Sequence, residues 1–231
     1  SAHVAGFCLT EGIVDGLEDI AAFDYCDDAG KHVAAINLHP ERQNKISHIL
    51  ERGRDIPHTG YGLGGKALIE RVRQALPTFS DDRRLTAQGA RACLESLFRN
   101  QKLYARTRAS HAAALFNEPL KMVAMSEDVG RHNALDKAIG KALLSRDLAE
   151  VHIGILSSRI SYELAQKAAR ARIPILIGMS RPTTLAVQLG SAMNMTLACD
   201  NKHGGLSVYC GHDRIVGIDT HEQNQREDKT R

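Results

Sequence analysis

Polar and basic side chains follow three predicted strands in the second half of the chain, each where a strand gives way to a helix. The three segments cover residues 126–133, 157–159 and 180–184. Hydroxyls, arginines and helix N-termini are the groups with which proteins bind phosphate, and the carboxyl ends of parallel strands meet at one edge of a sheet. We therefore predict a phosphate-binding site formed by Arg131, His132, Asn133, Asp136, Ser157, Arg159, Ser180 and Thr183.

Different roles are expected within this site. The arginines would neutralise phosphates, the hydroxyls would donate hydrogen bonds, and Asn133 and Asp136 would recognise polar edges of the ligand. The alternative is that these polar residues only cap helices and that the arginines are solvated. Glu127 and Asp128 fit that alternative, as caps of the helix that begins beside them.

The cysteines offer no obvious reactive centre. Their number is odd and no two are closely spaced, which disfavours a disulfide framework and indicates a reducing cytoplasm. Cys93 falls on the apolar stripe of a predicted helix, while Cys199, at a predicted strand end, is the best-placed candidate for a reactive thiol. A zinc set would have to combine Cys199, His203, Cys210 and His212, whose spacing matches no compact zinc unit, so no metal is expected.

The elements that must position these residues form a regular alternation after residue 120. Short apolar runs predict strands over 122–125, 151–156, 173–178 and 195–198, with helices over 131–144, 161–171 and 182–193. Such alternation predicts an α/β domain with a largely parallel sheet. Before it we expect a smaller mixed α+β region, with strands over 21–27 and 32–38 and a helix over 86–102 that is capped by Thr86. The predicted divisions are 1–105, 106–218 and a polar tail over 219–231.

Composition excludes several classes of protein. The 231 residues are 43% apolar and carry a net charge of +3, and no apolar run approaches the length of a membrane-spanning helix. Seven basic residues against one acidic residue in 83–108 indicate a solvated face or a docking surface for an acidic partner. Nucleic acid is disfavoured as that partner, because aromatic residues make up only 4% of the chain. The first nine residues resemble the middle of an apolar element, which leads us to expect that preceding sequence is missing.

One fourteen-residue block closely resembles a known signature. Residues 127–140, Glu-Asp-Val-Gly-Arg-His-Asn-Ala-Leu-Asp-Lys-Ala-Ile-Gly, resemble that of the FdhD family of formate dehydrogenase accessory proteins. Further segments match the family in order along nearly the whole chain, and they cover residues 6–13, 157–168, 180–187, 196–197 and 208–209.

The resemblance implies a function and a fold. Members of the family are cytoplasmic, generally dimeric sulfur carriers, with a fold similar to that of cytidine deaminases. They pass persulfide sulfur from a cysteine desulfurase to the bis-(molybdopterin guanine dinucleotide) molybdenum cofactor of formate dehydrogenase, and guanine nucleotide can occupy the cofactor site. The family's cofactor-contacting segment near the C-terminus corresponds here to Asp200, Asn201, Lys202, His203, Gly204 and Gly205.

The chain departs from the family at the residues that carry sulfur. The family's Cys-Gly-x-Cys-Gly loop corresponds to residues 59–65, where Tyr61 and Gly64 occupy the two cysteine positions. Neither residue can form a persulfide. The alternative function is therefore that of a cofactor-binding or chaperone relative without sulfurtransferase activity. Two family glycines are also replaced, by Arg108 and Ala109, which adds bulk and charge near the expected site.

The fold that the resemblance implies suggests deamination as a rival function. Zinc deaminases need a His-x-Glu and a Pro-Cys-x-x-Cys segment. The stretch that begins at His111 lacks the glutamate, and the chain has no Cys-x-x-Cys. The sequence therefore excludes that chemistry.

Overall fold

The first half of the chain contributes helices and short strands around a larger sheet. The structure, a computed structural model, describes residues 1–28, 31–52, 69–70, 72, 75–80, 82–201 and 205–217. The elements of this half are α1 (Ala2–Thr10), β1 (Ile20–Asp28), β2 (Lys31–Leu38), α2 (Pro40–Arg52), β3 (Leu85–Thr86), α3 (Ala87–Asn100) and α4 (Lys102–Thr107). β1 and β2 pair antiparallel, so the two predicted strands are confirmed.

The second half builds the central sheet and the helices on it. Its elements are β4 (His111–Phe116), β5 (Met122–Asp128), α5 (Arg131–Leu144), β6 (Ile153–Arg159), α6 (Tyr162–Arg170), β7 (Ile175–Ser180), α7 (Thr184–Ala192), β8 (Thr196–Asp200), β9 (Leu206–Cys210) and β10 (Ile215–Val216). The central sheet has the order β5-β4-β6-β7-β8-β9, and β3 pairs with β10 outside it. The expected α/β alternation is therefore present.

The sheet is mixed, where a largely parallel one was predicted. β6, β7 and β8 run parallel, whereas β4 lies antiparallel between β5 and β6, and β9 is antiparallel to β8. The difference arises because β4 carries no strong alternation in its sequence and was not predicted as a strand. Since β4 reverses direction between them, β5 and β6 still point the same way, and the carboxyl ends of β5 to β8 share one edge.

Both faces of this sheet are covered, which accounts for the continuous apolar runs of its strands. Along β4, Ala113 and Leu115 face a core shared with α1, α5, α6 and α7, while Ala114 and Phe116 face a second core shared with α3. Cys93 of α3 is 1% exposed in that second core, so its predicted place on a buried stripe is confirmed.

Helix boundaries follow the capping signals in the sequence. The Oγ1 atom of Thr86 accepts a hydrogen bond from the Gly89 N–H at 2.9 Å, as predicted for the α3 cap. The helix predicted over 131–144 has those bounds. The prediction that Pro182 opens α7 was wrong, because Thr183 caps that helix and leaves the proline outside it.

The N-terminal helix is part of the main core. Ala5, Cys8 and Leu9 of α1 are at most 4% exposed, and the helix packs along α5. The division between 1–105 and 106–218 stays a prediction, and the tail over 219–231 lies outside the described residues. No described helix is long and apolar enough to cross a membrane.

Candidate active-edge cleft

A cleft of about 690 Å³ opens at the edge where β5 to β8 end. Its floor includes His111 at the start of β4, Ser157 in β6 and Met179 in β7. The wall is formed where α3 is followed by α4, by Phe98 of α3, Tyr104 of α4 and Arg108 directly after α4. The cleft lies at the edge where the ligand site was predicted, and among the predicted site residues that the structure describes Ser157 alone lines it.

Glu127 holds the wall of the cleft in place. Its carboxylate accepts hydrogen bonds from the N–H groups of Leu103 at 2.7 Å and Tyr104 at 2.8 Å, and from the Ser110 hydroxyl at 3.1 Å. Glu127 was alternatively expected to cap α5. That expectation is wrong, because the N–H groups that it binds belong to the first turn of α4. Glu127, at the start of the signature, therefore holds α4 against β5.

Arg108 brings a positive charge to the cleft. It follows α4 with φ 56° and ψ 17°, and its guanidinium carbon lies 5.3 Å from the centroid of the Tyr104 ring. The Ser157 hydroxyl oxygen accepts the Ala112 N–H at 2.7 Å, which leaves its own proton for a ligand. The cleft thus combines a cation and a hydroxyl with aromatic and apolar surface, a composition typical of small-molecule sites.

Arg131 and His132 do not line this cleft and lie near the start of α6. The Ser161 Oγ and the His132 Nε2 lie 3.5 Å apart. Burial and the neighbouring Arg131 charge lower the pKa of His132. The Arg131 Nε atom is buried and has no hydrogen-bond partner among the residues that the structure describes. Burial would raise the pKa of Glu163, but a hydrogen bond from Ser161 holds it below its usual value.

Asp136 belongs to a buried ion pair. It is 2% exposed, accepts the Thr10 hydroxyl at 2.8 Å, and lies 3.0 Å from the Lys167 Nζ. Lys167 also contacts Glu11 at 2.8 Å. These contacts join α1, α5 and α6, so the oxygens of Asp136 are already occupied and its predicted ligand contact gains no support.

Asn133 and Asp128 stabilise the start of α5. Asp128 accepts hydrogen bonds from the Gly130 N–H at 2.9 Å, from the Asn133 side chain at 3.2 Å and from Lys137. Burial opposes ionisation, but these donors hold the pKa of Asp128 below its usual value. The N-cap of this helix is Gly130 and no side chain caps it, so the expectation that Asp128 caps α5 is wrong.

Comparison with known proteins shows the family of this chain. The model of the FdhD/NarQ family matches residues 1–216. The chain belongs to that family. It is 37% identical over 227 residues to the sulfur carrier protein FdhD of Mycobacterium tuberculosis, covering 92% of this chain and 81% of that one. It is 34% identical over 223 residues to the FdhD of Streptomyces coelicolor, covering 93% and 79%.

A solved structure shares the fold. The putative formate dehydrogenase accessory protein from Desulfotalea psychrophila matches with a TM-score of 0.69 at 23% identity, covering 93% of this chain and 79% of that one. The predicted resemblance to the FdhD family is confirmed by the family model and by the two relatives above. At 23% identity the structural match shows a shared fold and nothing about function.

Several family positions of this FdhD/NarQ chain are not brought into the cleft. Arg159 and Ser180 end their strands on the exposed surface, and the Thr183 hydroxyl accepts the Ala186 N–H at 3.3 Å as a helix cap. The Asn201 side chain accepts the Gly205 N–H at 2.7 Å in the segment that begins at Asp200. Tyr61, Gly64, Lys202, His203 and Gly204 lie outside the described residues, so their predicted roles stay predictions.

Most described thiols of this family member are poorly suited to carry sulfur. Burial raises the pKa of Cys8, with help from Asp136, and that of Cys93, each to about 11. Cys199 is 3% exposed and its sulfur lies 3.7 Å from the Tyr209 hydroxyl, so the speculative carrier role of Cys199 gains no support.

The other two cysteines differ in exposure. Cys210 is buried although it ends a strand, because β9 packs beneath α7, and burial raises its pKa. Cys26, in β1, is exposed. Within the described residues no three potential metal ligands come together, and His203 of the imagined zinc set lies outside them.

The sequence analysis missed most of the wall of the cleft. Tyr104 in the wall and Met179 in the floor belong to no polar segment, and Val129 is an apolar residue of the segment 126–133. Only the Arg108 replacement gave a signal, since it adds charge at a position where the family has glycine.

Proposed function

We propose that this chain binds the guanine-dinucleotide form of the molybdenum cofactor in the cleft and serves the maturation of a formate dehydrogenase. The single observation that carries the proposal is the cleft at the carboxyl edge of the sheet, with Arg108, His111 and Ser157 in its lining. The family supports this role, since two relatives are named sulfur carrier protein FdhD and a protein of similar fold is a putative formate dehydrogenase accessory protein.

The cleft suits part of such a ligand. Its volume of about 690 Å³ lies within the roughly 300–1,000 Å³ range of small-molecule sites, which suggests space for a nucleotide-sized portion rather than for the entire bis-cofactor. Tyr104 and Phe98 offer aromatic surface to a flat base. Arg108 can pair with phosphate oxygens in a bidentate manner, while His111 and Ser157 can donate hydrogen bonds.

Sulfur transfer from a cysteine desulfurase is the second part of the family role. It requires an accessible thiolate, and Tyr61 and Gly64 cannot supply one. Four of the five cysteines are buried. These observations favour the alternative of a cofactor-binding or chaperone relative without sulfurtransferase activity. From the family we also expect a deaminase-like topology, a homodimer and a cytoplasmic location.

Nucleotide binding tests the first part. Isothermal titration calorimetry with guanosine diphosphate should show binding by the wild type and about tenfold weaker binding by His111→Ala, the effect of losing one hydrogen bond to a charged group. Arg131→Ala is the matched control, because it removes a larger side chain that lies outside the cleft on the side of α6. A loss confined to Arg131→Ala would place the ligand on that other side and would refute the cleft.

Mass spectrometry tests the second part. After incubation with a cysteine desulfurase and cysteine, the chain should gain no sulfur on the four buried thiols. Cys26→Ser identifies any adventitious addition at the exposed thiol. A persulfide on Cys199 would instead show that the carrier function persists on a relocated cysteine.

A further inference from the structure

Arg108 occupies a backbone conformation that side chains rarely adopt. It follows the last residue of α4 with φ 56°, in the left-handed region where the Cβ atom comes too close to backbone oxygen. Arg146 has φ 65° and Arg172 has φ 58°, so the conformation alone does not set Arg108 apart.

The surroundings of Arg108 set it apart from those two arginines. Arg172 is bound, since it donates to the Pro77 carbonyl at 2.5 Å and lies over the Phe79 ring. Arg146 is exposed and follows α5 away from the cleft. Arg108 lines the cleft, and its one described side-chain contact is with the ring of Tyr104. Within the described part of the chain, no carboxylate lies at ion-pair distance from it.

We propose that Arg108 is an anion-binding residue that sets the phosphate affinity of this cleft. An arginine supported on an aromatic ring is partly ordered before the ligand arrives, which lowers the entropy that binding must offset. Its planar fork can then bind two oxygens of a diphosphate. Unfavourable backbone conformations recur where a side chain serves a ligand. This inference rests on the proposed function, because it takes the nucleotide diphosphate as the occupant of the cleft.

Two matched variants separate the charge from the backbone conformation. Arg108→Gly and Arg146→Gly each remove one exposed arginine and each relieve one left-handed residue. Both variants should therefore raise the melting temperature, by about 2–4 °C for a chain of this size. Only Arg108→Gly should weaken guanosine diphosphate binding, by about tenfold or more, the range measured for lost charge-assisted hydrogen bonds.

A third variant tests the bidentate geometry. Arg108→Lys keeps the charge as a point charge but loses the fork, and its affinity should fall between those of the wild type and Arg108→Gly. All affinities are measured by titration calorimetry with guanosine diphosphate at one fixed salt concentration, because pairing between exposed charges is screened by salt.

The outcomes distinguish this inference from the proposed function. Wild-type binding that Arg108→Gly leaves unchanged would overturn the role of Arg108 and leave the cleft as the nucleotide site. An equal loss of affinity in Arg146→Gly would also overturn it, since a general charge effect would then be acting. A wild type that binds no guanosine diphosphate would refute the proposed occupant of the cleft and the inference with it.

Discussion

The crossing of α1 and α5 depends on two glycines, and replacing one of them should destabilise the fold. A Cβ atom on Gly140 would lie 1.8 Å from the Ala2 carbonyl oxygen, and one on Gly6 would lie 1.8 Å from the Asp136 carbonyl oxygen. Both obstacles are backbone atoms, which cannot rotate aside as a side chain can. Gly140→Ala must therefore push α1 away by more than 1 Å to reach the 3.0 Å limit below which real Cβ contacts are essentially never found.

The size of the effect follows from two opposing terms. Alanine is favoured over glycine in a helix interior by about 1 kcal/mol, which would stabilise an uncrowded site. Overpacking in a core costs roughly 1–3 kcal/mol and occasionally more. Moving α1 also loosens Ala5, Cys8 and Leu9, which are at most 4% exposed. We expect a net loss of about 2 kcal/mol, or a melting temperature lower by roughly 4–8 °C in a chain of this length.

Urea and thermal unfolding followed by circular dichroism measure this loss. Gly89→Ala in α3 is the control, because its new Cβ would meet the Leu120 Cδ1 atom at 2.9 Å, the mobile end of a side chain. The Gly6→Ala and Gly140→Ala double variant should lose less than the sum of the single variants, since one displacement of α1 relieves both clashes. A Gly140→Ala variant as stable as the wild type would refute the close crossing.

The Lys167–Asp136 ion pair, the His132 ring and the cysteines each allow one further prediction. Lys167→Met should cost about 3–5 kcal/mol in urea unfolding, because Asp136 stays buried without its cation, and adding Asp136→Asn should restore part of that loss. Because the folded pKa of His132 is lowered, its contribution to stability is present above pH of about 6.5 and declines as the pH falls below that value. His132→Gln should therefore flatten the change in urea midpoint between pH 7.5 and 5.5, and an unchanged slope would contradict this assignment. Iodoacetamide should alkylate Cys26 in the folded protein and reach Cys93 only after unfolding, which peptide mass spectrometry would show.

Local patterns were sufficient to predict most of the elements but not the arrangement of the sheet. The bounds of α5 and the Thr86 cap depend on interactions within a few residues, and both were predicted from the sequence. β4 could not be recognised in the same way, because Ala112, Ala113 and Ala114 pack on both faces and show no alternation. Its antiparallel position between β5 and β6 depends on pairings with residues far along the chain.

The candidate site was predicted by its position and only partly by its residues. Topology places the strand ends of β5 to β8 at one edge, so the location followed from the alternation. Which side of that edge a residue faces depends on strand register and helix packing, which the sequence alone did not show. Ser157 faces the cleft, whereas Arg131 lies toward α6 and Asp136 is enclosed between α1 and α6.

The described residues that line the cleft include no cysteine. Glu127 fixes α4, and α4 carries Tyr104 and leads into Arg108; none of these interactions involves a thiol. The resemblance to the family implies that Tyr61 and Gly64 stand at its two cysteine positions, and neither residue is a partner in these contacts. We therefore expect the proposed ligand binding to depend on other residues than sulfur transfer, so that loss of the second leaves the first intact.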